Sequence, residues 1–499
     1  MTNLQEFKSL AANHLVVPVI GELPLGGHTP VSLFDALAGD RPGTFMLESA
    51  VQGVWARYSF IGLSNHGTLI KEKGKDSTWI GDSSATPKTE LLEASALGAL
   101  NQLVEAWSSE RVPGVPPLTS GLVGLLSWDV IREIEKLPNR PQDRIRTPEM
   151  VFCMFRDLVI VDHHEKKLLL VANVFQAEVG AATESDFDAA MSRIDEVAAK
   201  ISKLAGTEDA VPAAGDLPAF VSNREPTEFL ASIEAAKEYV RIGDVFQVVL
   251  SQRFDTTTEA APLDIYRALR HMNPSPYMYL LNLEDEGGRF SVVGSSPEAL
   301  VTFTDGHAAM HPIAGSRPRG ATPELDLNLE QSLVADAKEQ AEHLMLVDLA
   351  RNDLLKVCES SSVTVTEFAQ VHRFSHIMHL VSTVEGDIRQ GQNAVDVFKA
   401  TFPAGTLSGA PKPRALEIID ELEPDSRGLY GGVVGYFDFS GEADLAIAIR
   451  TVFLRDGQAS VQAGAGLVLD SVPESEFQET IAKASAPLRA VSMAEGSHS

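Results

Sequence analysis

The stretch Tyr430–Leu469, YGGVVGYFDFSGEADLAIAIRTVFLRDGQASVQAGAGLVL, decides the fold class. Its apolar runs are separated by Ser440-Gly441-Glu442 and by Asp456-Gly457-Gln458, and glycine turns between β-rich runs mark an antiparallel meander. Upstream, Ser291–Thr304 (SVVGSSPEALVTFT) turns back through Asp305-Gly306. In the first half, DLVIVDH and KLLLVANVF flank a polar turn at His163–Lys167 and read as a hairpin. Helical periodicity appears at Pro226–Ile242, Leu327–Leu355 and Ser475–Leu488. The class is α+β, with large antiparallel sheets covered by helices.

A chain of 499 residues exceeds one ordinary core. The segment Leu204–Pro218 (LAGTEDAVPAAGDLP) has no apolar periodicity and reads as a linker between residues 1–203 and residues 219–490. A polar stretch, Lys71–Lys88, reads as a surface loop without order. Met1–Leu15 holds no long apolar run, so neither a signal peptide nor a membrane span is expected and the cytoplasm is the expected location. Cys153 and Cys358 have neither the number of a disulfide framework nor the spacing of a metal knuckle, and read as buried apolar fillers. A formal net charge of -28 excludes nucleic-acid binding through clustered cations; an anionic ligand needs locally placed ones.

Glu339 and Glu342 are neighbours on one helical face, and Glu476 and Glu479 repeat that spacing with Lys483 on the same stripe. Such pairs are either solvated faces or, on two converging helices, oxygen ligands for a hard cation such as magnesium. Read as a strand, Ala446–Val452 puts Arg450 on a face with Ala446 and Ala448, while Gly464 and Gly466 open the backbone of the next strand. The pattern fits a carboxylate pocket, or close sheet packing beside a surface arginine. His372, His376 and His379 have helical spacing, but VHRFSHIMHLVSTVEG alternates as one strand that sends His379 to the face opposite the other two, which argues against a zinc cluster. One of them could be a proton carrier, or simply structural. The segment Phe402–Lys412 (FPAGTLSGAPK) leads into a helix near Pro411 and lacks the spacing of a P-loop.

Together, GDVFQVVLSQRF, GSSPEAL, PIAGSRPRG, EHLMLVDLARND, MHLVSTVEG, FPAGTLSGAPK, AIAIRT and GAGLVLDSVPESEFQETIAKA, in that order, resemble the chorismate-utilising enzymes. MLESA at Met46–Ala50 and NPSPYMYL at Asn273–Leu280 look like the tryptophan-binding elements of anthranilate synthase large subunits. The resemblance implies a four-layer α/β/β/α sandwich. It implies magnesium on Glu342 and Glu479, with Glu339 and Glu476 in support. Arg450, Gly464, Gly466, Lys483, Tyr430 and Gln247 bind substrate, Thr406 contacts it, Glu298 is the acid and His379 the base. Glu48, Ser49, Asn273, Pro274, Tyr277 and Met278 form the inhibitor site.

The implied activity converts chorismate and ammonia to anthranilate and pyruvate, the first step of tryptophan biosynthesis, with feedback by tryptophan. Isochorismate and salicylate synthases carry a lysine where this chain has Gln247, and aminodeoxychorismate synthases carry one where it has Ala314. Both lysines are missing, which leaves external ammonia as the nucleophile. Neither cysteine sits in a glycine-flanked nucleophile turn, so a separate glutamine amidotransferase subunit is implied. Ser316 and Met46 replace the threonine and leucine common in the family. Competing readings are an aminodeoxychorismate synthase large subunit, an enzyme that stops at the aminated intermediate (aminodeoxyisochorismate synthase), a non-catalytic tryptophan sensor, and a magnesium hydrolase. The last is disfavoured by the lack of a phosphate cradle.

Overall fold

The computed structural model describes residues 2–50, 57–81, 92–112, 114–206, 215–373 and 377–496. Its strands join in one hydrogen-bonded network of 21 strands. Strands from both sides of the Leu204–Pro218 segment pair with one another: Thr44–Glu48 runs antiparallel to Tyr277–Asp285, and Gly121–Leu126 to Val433–Asp438. Residues 207–214 of that segment lie outside the described residues. Leu204, Leu217 and Phe220 beside them pack against a helix-covered core.

Strand alternation sets the layers. In Met150–Asp162, Val151, Cys153 and Phe155 enter a core to which, among the described residues, no helix contributes, and Val434, Tyr436, Tyr279 and Phe453 join it from other strands. Phe152 and Met154 point the other way, into a core covered by the helices Pro226–Ile242, Ala337–Leu355 and Lys412–Leu422. A third core puts Pro262–Met272 and Pro473–Gly496 against Val293, Val452 and Val461. Sheet faces sheet in the middle and helices cover both outer faces, which is the expected α/β/β/α order. No helix among the described residues is long and apolar enough to cross a membrane.

Local readings hold where the signal is local. The helix Pro226–Ile242 has the expected bounds, Lys167–Phe175 pairs with Met150–Asp162, and Asp305-Gly306 joins Ala299–Thr304 to His307–Met310. Elsewhere the structure corrects the sequence reading. Lys71–Lys88 is not all loop: Thr78–Gly81 is a strand paired with Tyr58–Lys71, its Trp79 lying over Gly67, and residues 82–91 lie outside the described residues. Leu327–Leu355 is two helices, Pro323–Val334 and Ala337–Leu355, because Asp336 leaves the helix and caps the second by accepting from the amides of Lys338 and Glu339. The helix expected at Ser475–Leu488 runs from Pro473 to Gly496.

The histidine stretch is a hairpin, not one strand. Thr364–Arg373 pairs with Ile377–Asp387 and His372 stands directly across from His379, so the two share a face rather than opposing ones. His376 lies outside the described residues. The expected strand Ala446–Val452 is likewise broken. Ala443–Ile447 pairs with Ala299–Thr304 and Val433–Asp438, whereas Thr451–Arg455 pairs with Gly288–Ser296 and Gln458–Leu467. The chain changes partners between them, and Arg450 sits at the change with φ 50°.

Phe155 is fully buried between the sheets, so Phe155→Ala should cost about 3–5 kcal/mol, read as a lower urea midpoint. Leu327→Ala, on an exposed position, should stay within about 0.5 kcal/mol of the parent. Equal midpoints for the two variants would contradict the layer assignment.

Candidate functional site

The change of partner at Ala448–Arg450 builds one side of the site. The guanidinium of Arg450 is held by Asn273 (Nη1 to Oδ1, 3.3 Å), whose own Nδ2 donates to Ser295 Oγ at 3.2 Å. Burial lowers the pKa of Arg450 from the usual guanidinium value. Asn273, grouped by sequence with the inhibitor elements, thus touches the residue expected to bind substrate.

Glu298 lies in the link between Gly288–Ser296 and Ala299–Thr304, and its carbonyl accepts from the Ile447 amide. The Thr406 hydroxyl donates to its carboxylate at 2.9 Å. Thr406 is presented by a one-turn helix, Gly405–Ser408. Burial pushes the Glu298 carboxyl up to about 7, with the Thr406 hydrogen bond and the nearby charge of Lys483 holding it down. It therefore keeps its proton at a pH where an ordinary carboxyl has lost it.

Lys483, on the helix Pro473–Gly496, donates to the Gly464 carbonyl at 3.1 Å and pairs with Glu479 at 2.7 Å. A Cβ on Gly464 would stand 2.7 Å from the Tyr430 hydroxyl and 2.8 Å from the Leu250 carbonyl, so that position requires glycine, whereas one on Gly466 would displace the side-chain amide of Gln247. Gln247 is buried and also hydrogen-bonds Glu342. His379 is half-buried, with Nδ1 2.8 Å from the Gly315 carbonyl; burial lowers its pKa and the charge of Arg450 adds to the effect.

Of the four glutamates, Glu339 pairs with Arg317 at 3.4 Å and Glu479 with Lys483, while among the described residues Glu342 and Glu476 have no ion-pair partner. Burial raises the pKa of Glu342, as does the charge of Glu339; burial and Glu479 do the same to Glu476. Lys338 and Lys483 each act on both Glu342 and Glu476, which places the two helix faces near each other. Among the described residues no three His, Cys, Asp or Glu side chains are gathered closely enough to cage a metal.

A cavity of ≈ 540 Å³ lies between the sheets. Glu48, Ser49, Tyr277 and Met278 line it, as does Pro276, whereas Asn273 and Pro274 do not. The pairing of Met278 with Glu48 brings the two sequence elements together. Glu48, however, is already engaged: Arg270 holds both its oxygens, at 2.9 and 2.8 Å, and Tyr266 donates to it at 2.6 Å. It shapes the wall more than it offers a free charge. On the same wall Tyr277 hydrogen-bonds Asp444, whose carboxyl burial pushes up to about 6.

Sequence reasoning missed the support beneath these groups. Arg427, fully buried, donates to the carbonyls of Leu407 and Val249 at 2.7 Å each, pairs with Glu423, and lies over the rings of Trp128 and Tyr430. Their spacing is no helical signal, because the helix Lys412–Leu422 ends before Glu423 and the pair forms across an extended segment.

The family of chorismate binding enzymes matches residues 44–489. The chain belongs to the chorismate-binding enzyme family. It is 50% identical over 502 residues to anthranilate synthase component 1 of Arthrobacter globiformis, covering 99% of this chain and 94% of that one. It is 42% identical to the protein of the same name from Aquifex aeolicus, covering 99% and 98%. Among solved structures, anthranilate synthase component I from Streptococcus pneumoniae superposes with a TM-score of 0.74 at 34% identity, covering 93% of this chain and 99% of that one. The menaquinone-specific isochorismate synthase of Escherichia coli shares the fold at 18% identity and a TM-score of 0.70, covering 96% and 95%.

The Glu298 carboxyl can be followed directly in this family member by isotope-edited infrared difference between the parent and Glu298→Gln. The protonated band should disappear as pH rises through about 7, and Thr406→Val, which removes a hydrogen bond to the carboxylate, should move that midpoint upward. A carboxylate ionised throughout the mildly acidic range would contradict the assignment.

Proposed function

We propose that this chain aminates chorismate with ammonia to form anthranilate and pyruvate, as the large subunit of a cytoplasmic complex with a glutamine amidotransferase, under tryptophan control. The observation that carries the reading is the Glu298 carboxyl, held protonated toward neutrality against Thr406 in a chain whose relatives are named anthranilate synthase component 1. Ammonia adds at C2 as the C4 hydroxyl departs with the proton of Glu298, leaving as water. The ammonium so formed at C2 sheds its extra proton; His379 then takes the C2 proton, the electron pair restores the ring as the C3–O bond breaks, and the side chain leaves as enolpyruvate, which takes up a proton at carbon to become pyruvate. Arg450, Lys483 and the backbone at Gly464 and Gly466 hold the substrate carboxylates, and Tyr430 and Gln247 line the same place. The missing lysines at Gln247 and Ala314 favour this reading over isochorismate or aminodeoxychorismate synthesis.

Magnesium fits the donor set. Glu342 and Glu476 are carboxylates without an ion-pair partner among the described residues, each pushed up by burial first and by a like-charged neighbour as well, and a hard cation would offset both. Glu342 and Glu479 would hold it, with Glu339 and Glu476 one turn away. When bound, the ion supplies positive charge for the substrate's carboxylate in an otherwise acidic protein.

The purified chain with chorismate, magnesium and ammonium should generate anthranilate fluorescence, and should not do so with glutamine in place of ammonium. Glutamine-dependent formation by the pure chain would overturn the need for a partner. Glu479→Gln should lower turnover by about 100-fold or more with either nitrogen source; parental activity at saturating magnesium would remove Glu479 from the metal set. For regulation, Ser49→Phe places a bulky ring at the cavity wall and Arg270→Met releases Glu48. Both should raise the tryptophan concentration for half-inhibition by at least about fivefold while turnover without tryptophan is kept. Unchanged inhibition in both folded variants would place the regulatory site elsewhere.

A further inference from the structure

The strand Ile313–Pro318 pairs with Ile377–Asp387 through a register slip: Ala314 faces Leu380 and Ser316 faces His379, so Gly315 is an extra residue with no partner across the ladder. Its φ is +66°, the left-handed region in which glycine alone is comfortable. A Cβ there would stand 3.0 Å from Leu333 Cδ1 and 3.1 Å from Glu339 Oε2, so a side chain is opposed by space as well as by conformation. The bulge turns the Gly315 carbonyl toward the imidazole, 2.8 Å from Nδ1 of His379.

We infer that the carbonyl of Gly315 is a positioning group for His379, fixing the imidazole as the Nδ1–H tautomer and so presenting Nε2 as the nitrogen that receives a proton. A carbonyl oxygen can only accept, so the ring nitrogen facing it must carry hydrogen. In a neutral imidazole the other nitrogen then holds the lone pair. Burial, joined by the charge of Arg450, lowers the His379 pKa and so favours the neutral ring, although the Gly315 hydrogen bond acts the other way. His372, across the ladder, is engaged by Glu367 at 3.1 Å. The glycine of PIAGS thereby has a geometric duty: an L-residue at this φ would flatten the bulge and withdraw the acceptor. The inference rests on the reading of His379 as the base, and it adds which of its two nitrogens carries hydrogen.

The full chain labelled with ¹⁵N-histidine tests this by long-range ¹H–¹⁵N correlation, with His379→Gln identifying the signals by their loss. The expected spectrum is a neutral ring with a pyrrole-type Nδ1 and a pyridine-type Nε2. The reverse pattern would overturn the inference in the unaltered protein, whatever any variant does. Gly315→Ala, if it melts with the parent, should shift the ring toward the Nε2–H form and lower kcat by about 100-fold, with KM for chorismate little changed. A folded Gly315→Ala that keeps both the Nδ1–H pattern and the parental kcat would also overturn it. The spectrum does not depend on turnover, so failure of the base assignment, seen as undiminished turnover in His379→Ala, is read separately.

Discussion

The buried pair of Arg427 and Glu423 is the interaction on which the site depends. One guanidinium spans the carbonyl of Leu407, next to Thr406, and that of Val249, on the strand that begins with Gln247. Glu423 in turn accepts from the amide and hydroxyl of Ser251 at 2.8 and 2.9 Å. The flat face of Arg427 rests 4.3 Å from the ring of Trp128 and 5.5 Å from that of Tyr430. A charge pair so deep is stable only because its hydrogen-bonding capacity is filled, and loss of one partner leaves the other charged and buried, at about 3–5 kcal/mol. Thr406, Gln247 and Tyr430 come from three separate elements, and this pair gives them a common footing.

A second set of contacts links Arg450 to the cavity between the sheets. Tyr266 and Arg270 on the helix Pro262–Met272 hold Glu48, and Asn273, the residue that ends that helix, holds Arg450. A ligand that displaces Glu48 or Met278 therefore pushes on an element whose far end holds Arg450. The arrangement supplies a physical connection, and a ligand shifts it only by its differential affinity for two positions of that helix.

Local signals made much of this legible. Pro at the start of Pro226–Ile242, Asp-Gly turns and period-two alternation between polar turns are short-range chemistry, and those elements form where expected. Two of the misreadings share one cause, a chain that changes partners. VHRFSHIMHLVSTVEG alternates along its whole length, so its pattern resembles one strand while the register puts His372 across from His379. Ala443–Arg455 alternates through Arg450, but its two halves answer to different neighbouring strands, and nothing within the segment records that. The break after Ala335 was readable: Asp336 with Glu339 three residues on is a helix start, hidden inside a longer apolar period. In the candidate site, the side chains proposed to carry chemistry were named from the family motifs. Arg427, Glu423 and the carbonyl of Gly315 were not, because their work is to position others through backbone atoms.

The central claim is a division of labour, with Glu298 serving the amination and His379 the later loss of pyruvate. Rapid quench of His379→Ala with chorismate, magnesium and ammonium, analysed by mass, measures it directly. The account predicts that chorismate is consumed and an aminated, pyruvate-bearing intermediate accumulates while anthranilate lags. Equal suppression of chorismate consumption and anthranilate formation, with no intermediate, would contradict it.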